Sequence, residues 1–170
     1  MSTPPHPIVS AAHLAQGAAP ALSEVEYGLN ILGAAYHRWM VRCATAAGQP
    51  GLSALEVVVV NTIRHRDRPK RQAEIALALA IDDAHLLTYA LRKLERLGLV
   101  ASTRQGKEKV VSVTESGQEF CARYTAIREA ALAGPVASHG PDPARLSELA
   151  ALLRSLSGHY EQAARAAATF

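Results

Sequence analysis

Between residues 72 and 117 the apolar positions change period twice, and a series of elements follows from those changes. Glu74 to Ile81 is a short apolar-rich stretch, and its Ala78 and Leu79 leave little bulk, which predicts a helix lying close to a neighbour. Asp82 and Asp83 then mark a turn. A longer helical stretch runs to Leu97, with Leu87, Leu91 and Leu94 spaced i, i+4, i+7 on one buried face. His85, Thr88, Tyr89, Arg92 and Arg96 fall mostly on the opposite face. Asp83 or Asp82 is expected to cap the start, where a carboxylate also suits the positive end of the helix dipole. Gly98 is expected to close the other end in the left-handed conformation. Beyond it, alternation replaces the helical period. Leu99-Val100-Ala101-Ser102-Thr103 and Val110-Val111-Ser112-Val113-Thr114 predict two strands, and Arg104-Gln105-Gly106-Lys107-Glu108-Lys109 between them predicts a basic hairpin loop. Helix, turn, helix and basic hairpin make a winged helix-turn-helix. In that arrangement the second helix can enter a major groove while the hairpin flanks the phosphates.

The flanking segments read as helices with one apolar stripe each. Ser23-Glu24-Val25-Glu26 forms a capping box that predicts the start of a long helix. Its stripe is Leu22, Val25, Leu29, Leu32, Tyr36, Trp39 or Met40, and Cys43, and Gly48-Gln49-Pro50-Gly51 ends it. Ser53-Ala54-Leu55-Glu56 is a second capping box, opening a helix to about His65. The β-branched run Val57 to Val60 alone would suggest a strand, but the cap and the continuation to Arg64 favour a buried helix. After the hairpin, Thr114 or Ser116 is expected to cap a helix reaching about Ala133, with Phe120, Tyr124, Ile127 and Leu132 apolar and Gly134-Pro135 as the stop. Asp142 and Pro143 begin a last helix striped by Leu146, Leu149, Leu153, Leu156, Tyr160 and Ala163. The predicted organisation is a disordered arm over 1–21, a dimerisation helix over 22–50, the winged domain over 51–117 and C-terminal dimerisation helices over 118–170. The fold class is mainly α with a small β-hairpin wing. The outer helices would leave their stripes wet in isolation; a shared interface in a homodimer would bury them, the alternative being an intramolecular bundle.

Charge changes this picture by its distribution more than by its sum. The formal net charge is only +3, but residues 61–110 hold 11 Lys and Arg against 6 Asp and Glu. The positive excess thus lies in the winged half, as a nucleic-acid surface requires. Within it, His65-Arg66-Asp67-Arg68-Pro69-Lys70-Arg71 is a basic loop, either a solvated surface or a source of phosphate contacts. Two distant cysteines, Cys43 and Cys121, give no disulfide framework and fit a reducing cytoplasm. No apolar run is long enough to span a bilayer, so no membrane partner is expected. The seven histidines, His6, His13, His37, His65, His85, His139 and His159, lack metal-ligand spacing, so neither metal nor other cofactor is expected. No phosphate-binding glycine loop or nucleophile elbow is present, and no enzyme is read.

Leu52-Ser53-Ala54-Leu55-Glu56, Ala73-Glu74-Ile75-Ala76, Leu94-Glu95-Arg96-Leu97-Gly98-Leu99-Val100 and Val111-Ser112-Val113-Thr114-Glu115-Ser116-Gly117 resemble the MarR family of bacterial transcriptional regulators. The resemblance spans about residues 22–165 and is strongest over 52–120. The turn before the second helix is one residue longer than the family's, Tyr89 stands where arginine is common, and the wing lacks the aspartate-x-arginine pair. The resemblance implies a transcriptional regulator, most often a repressor, that binds double-stranded DNA as a homodimer on a palindromic operator. His85, Thr88, Tyr89, Arg92, Lys93 and Arg96 would meet bases or phosphates, Arg92 pairing with guanine, and Lys70, Arg71, Arg104, Lys107 and Lys109 would hold the backbone. It also implies an aromatic or phenolic effector, placed against Tyr36, His37 and Met40 near His65 and Arg66. Cys43, set among Trp39 and Met40, is expected to be a buried, inert thiol and not a redox switch. The alternative is a winged-helix protein-interaction module with weak or lost DNA binding.

Overall fold

The computed structural model describes residues 8–170. His6 and the first part of the expected arm lie outside the described residues. Helices α1 (Pro20–Ala46), α2 (Ala54–Arg64), α3 (Gln72–Ala78) and α4 (Ala84–Arg96) precede the wing, and α5 (Glu115–Arg128), α6 (Gly134–His139) and α7 (Pro143–Ala167) follow it. Strands β1 (Lys70–Arg71), β2 (Val100–Gln105) and β3 (Glu108–Val113) form one antiparallel sheet in the order β1-β3-β2. The chain divides into two compact units, Met1–Thr125 and Ala126–Phe170, a boundary different from the sequence-based one at 117.

In the first unit, helix ends are set by local chemistry. The Ser53 capping box is realised: Glu56 N–H donates to Ser53 Oγ at 3.3 Å, and Ser53 N–H donates to Glu56 Oε2 at 2.7 Å. The Ser23 box is not. Helix α1 starts four residues earlier, with Ala19 as N-cap and Pro20 at its first position, where the missing N–H costs nothing, and Ser23 is buried. Asp83, not Asp82, caps α4, accepting from His85 N–H at 2.8 Å. At the other end Gly98 takes φ 69°, Gly98 N–H reaches Glu95 O, and Leu99 N–H reaches Leu94 O, each at 3.0 Å. These are the two bonds of a Schellman cap.

Helix α3 ends by the same device at Ala78, short of the predicted Ile81. Ile81 N–H donates to Ala76 O at 2.9 Å, and Ala80 is left-handed at φ 49°. The core joins Val57, Val59, Val60 and Ile63 of α2 to Ile75 of α3, Leu87 and Leu94 of α4, Leu99, and Phe120 of α5, all almost solvent-free. Each such side chain contributes roughly 1.5–3 kcal/mol by its burial. Alanine and glycine at Ala44, Ala47, Ala90 and Gly117 keep the helices close.

Two expectations at the hairpin are corrected. The strands extend into the predicted loop until Gln105 pairs with Glu108, leaving a two-residue turn at Gly106 and Lys107 with Gly106 at φ 63°. The loop before α3 is also not all loop. Lys70 and Arg71 pair with Val111 and Val110 as a third strand.

In the second unit, Gly134-Pro135 does not stop the helix. A π-helical stretch, Glu129–Ala133, leads directly into α6, and the wider turn accommodates a proline that has no N–H to offer. Gly140 ends α6 instead. Asp142 caps α7 as expected, accepting from Ala144 N–H at 2.7 Å. No residue of α7 is buried.

Candidate nucleic-acid interface

Helix α4 buries Leu87, Ala90, Leu91 and Leu94, and this fixes which side chains point away from the core. His85, Tyr89, Arg92 and Arg96 are exposed on the outer face. Thr88 belongs to the same turn but is already engaged. Its hydroxyl donates to Ala84 O at 2.8 Å and accepts from Gln72 Nε2 at 2.9 Å, which ties α3 to α4. Lys93, grouped with the DNA contacts on sequence, faces the other way. Its ammonium donates to Glu56 Oε2 at 2.8 Å and to Gly51 O at 2.7 Å. Glu56 therefore holds both the start of α2 and the middle of α4, and Lys93 is structural.

Lys70 is likewise withdrawn from the surface. Its side chain is buried, and its ammonium donates to Ile63 O at 2.8 Å, to Arg68 O at 3.3 Å and to His65 O. Burial, and then the charge of Arg68, lowers its pKa, while Glu74 and Asp67 oppose the shift. Three carbonyls matched to three ammonium protons close the turn after α2, in which Arg66 and Asp67 are left-handed at φ 60° and 47°.

The wing is fastened by charge. Arg71 pairs with Glu108 at 3.3 Å and with Glu74 at 3.4 Å, and Arg68 pairs with Glu74 at 3.1 Å. Glu108 above all raises the Arg71 pKa. The backbone N–H of Arg71, followed by the Arg68 guanidinium, lowers the Glu74 carboxyl to about 2. On the other strand, Arg104 and Lys109 stand directly opposite each other in the register. Like charges so placed are unfavourable unless an anion joins them. Glu95 partly answers this, 3.7 Å from Lys109 and hydrogen-bonded by Ser102.

Of the cations expected at DNA, Arg92, Arg96, Arg104 and Lys107 carry no hydrogen bond or ion pair among the described residues. They are exposed on the second helix and the hairpin of a single winged unit. Sequence reasoning missed the acids that organise this surface. Glu74 opens the helix predicted from the sequence and is the third residue of the observed one. Glu95 and Glu108 give no such signal, because their partners are set by tertiary structure.

The residues expected at an effector differ in exposure. Met40 is buried in the core, 3% exposed. Tyr36 and His37 are exposed with ring centroids 6.4 Å apart. His65 and Arg66 lie on the exposed turn after α2, and no hydrogen bond, ion pair or ring contact joins them to Tyr36 or His37 among the described residues. Cys43 is buried and its thiol donates to Tyr124 O at 3.6 Å. Burial raises its pKa, with that hydrogen bond opposing. No helix among the described residues is long and apolar enough to cross a membrane.

Residues 52–117 match a family model described as a winged helix DNA-binding domain. No curated protein matches the sequence. Solved structures do match in fold. A MarR-family transcriptional regulator from Rhodococcus sp. RHA1 superposes with a TM-score of 0.64 at 18% identity, over 83% of this chain and 95% of that one. A variant of MarR from E. coli complexed with operator DNA gives 0.67 at 15% identity, over 83% and 99%. CouR from Rhodococcus jostii RHA1, bound to p-coumaroyl-CoA, gives 0.64 at 18% identity, over 78% and 90%.

Proposed function

From a winged helix-turn-helix in the fold of MarR-family transcriptional regulators, we propose that this chain is a homodimeric regulator that binds double-stranded DNA. Helix α4 reads the major groove and the β2-β3 wing holds the backbone. The observation that carries this is the set of four unpaired, exposed cations, Arg92, Arg96, Arg104 and Lys107, on those two elements. A surface with cations left unanswered beside others already answered by Glu56, Glu74, Glu95 and Glu108 is suited to phosphates. Phosphate contacts position the module, and Arg92, in the middle of the outer face of α4, pairs with guanine.

Assembly through the terminal helices has its own support. Leu29, Ile31, Leu32 and Tyr36 of α1 are exposed in the single chain, at 37–55%. Separately, Leu146, Leu149 and Leu152 of α7 are exposed, and that 25-residue helix buries nothing. A second copy would cover such stripes and present two recognition helices to a palindromic operator. Such a protein represses when its site overlaps a promoter. The fold relative bound to p-coumaroyl-CoA supports an aromatic acid or its thioester as effector class, with Tyr36 and His37 the exposed part of the expected site.

The test is a gel shift on random duplex DNA over a range of salt, followed by selection of bound sequences from a random pool. Binding that weakens steeply with salt and converges on a two-part sequence supports the proposal. No binding at low salt favours the protein-interaction module.

A further inference from the structure

Resting on the DNA-binding reading, we propose that Tyr89 is a specificity-determining residue that recognises the 5-methyl group of thymine, within one or two base pairs of the base read by Arg92. Two of the polar side chains that the sequence places on the DNA side of α4 are already engaged. Thr88 is held by Gln72 and Ala84, and Lys93 by Glu56 and Gly51. The remaining outer side chains are His85, Tyr89, Arg92 and Arg96. Tyr89 is 67% exposed, and Leu86 extends apolar surface along the flank of the same N-terminal half at 53%. Neither side chain packs into the core, and neither can pair with a phosphate through a charge.

The thymine methyl is the one apolar group that a base pair presents in the major groove. An exposed aromatic ring between a histidine and two arginines is the matching surface, because the cations bring the duplex up and the ring meets the methyl. Tyr89 and Arg92 are three residues apart, so they are separated by about 4.5 Å along the helix axis. Base pairs rise about 3.4 Å each, so the two readings fall on neighbouring steps. The hydroxyl of Tyr89 is not required for this contact, so the ring alone should suffice.

The experiment uses the full chain and the duplex selected from the random pool. Each thymine is replaced in turn by uracil, which removes only the methyl. Wild-type protein should lose about fourfold in affinity at one position per half-site, the expected effect of one apolar carbon. Tyr89→Phe should retain that loss, and Tyr89→Ala should bind thymine and uracil at that position equally, with an unchanged salt slope. The Tyr89→Ala arm also separates a direct contact from any change in duplex flexibility caused by uracil. Uracil tolerated at every position overturns the inference while leaving DNA binding intact. So does a uracil penalty that persists in Tyr89→Ala. Failure of the wild-type protein to bind any duplex overturns the DNA-binding reading itself.

Discussion

Replacing Gly117 by alanine is expected to be among the most damaging single-methyl changes in the chain. A Cβ built on Gly117 would lie 2.0 Å from the carbonyl oxygen of Leu99, 2.9 Å from its carbon and 2.7 Å from Val113 Cγ1. The obstacle is backbone, so no side-chain rotation relieves it. The Leu99 carbonyl is also committed, accepting from Thr114 N–H at 3.1 Å, while the Thr114 hydroxyl donates to Gly98 O at 2.6 Å and caps α5 through Gly117 N–H at 3.0 Å. The end of α4, the exit from the wing and the start of α5 meet at this point. Overpacking of this kind costs about 1–3 kcal/mol, and displacing a backbone hydrogen bond adds about 1 kcal/mol, so a loss near 3 kcal/mol is expected. With a urea dependence of about 2 kcal/mol per molar, the unfolding midpoint should fall by about 1.5 M. The measurement is urea denaturation followed by circular dichroism at one fixed protein concentration, since dimerisation would otherwise shift the midpoint. Ser116→Ala, one residue earlier and exposed, is the control and should change stability by less than about 0.5 kcal/mol. A Gly117→Ala midpoint indistinguishable from wild type would refute the packing argument.

Four further outcomes are expected. Arg92→Ala should weaken binding to the selected duplex by roughly 1–3 kcal/mol and relax preference at one position per half-site, whereas Lys93→Met should lower stability and leave the salt slope of binding unchanged. Removing Lys107 together with Arg104 should flatten that slope by about 1 per lost phosphate contact, measured by fluorescence anisotropy across salt concentrations. Ala80→Gly should raise the thermal midpoint, since a left-handed alanine costs about 1–2 kcal/mol relative to a residue that adopts φ 49° freely. Glu74 has a depressed folded pKa, so its contribution to stability is present above its ordinary value of 4.5 and is lost as pH falls toward about 2. Glu74→Gln should therefore make stability less dependent on pH across that interval, as read from urea midpoints.

The sequence made the winged unit legible where the signal was periodic and local. The 87-91-94 stripe, the glycine after α4, the Ser53 box and the alternation on either side of Gly106 each act within a few residues. What stayed hidden depended on partners distant in sequence. Lys93 and Lys70 read as surface cations, and both are withdrawn by tertiary contacts. The acceptors of Lys93 lie 37 and 42 residues away, and those of Lys70 are carbonyls of the preceding turn, which becomes visible only once it is folded. Strand β1 is two residues long and owes its existence to pairing with Val110 and Val111 of β3, so no run of its own could announce it. Pro135 predicts a stop because proline breaks an α-turn, but the helix runs on through the π-helical stretch before it. Of the residues expected at DNA, the four cations Arg92, Arg96, Arg104 and Lys107 have no hydrogen bond or ion pair among the described residues. Thr88, Lys70 and Lys93 are drawn inward, and Arg71 and Lys109 are tied to acids.

Hydroxyl-radical footprinting of the selected duplex tests the central claim most directly, because it reports both the groove that is entered and the number of copies that enter it. Two α4 helices presented by a dimer should protect two half-sites about 34–36 Å apart, one turn of DNA, on one face of the duplex. In Arg92→Ala both protections should fade together at equal protein concentration. A single unpaired protected segment from a protein that sediments as a monomer would contradict the account, as would uniform protection along the duplex.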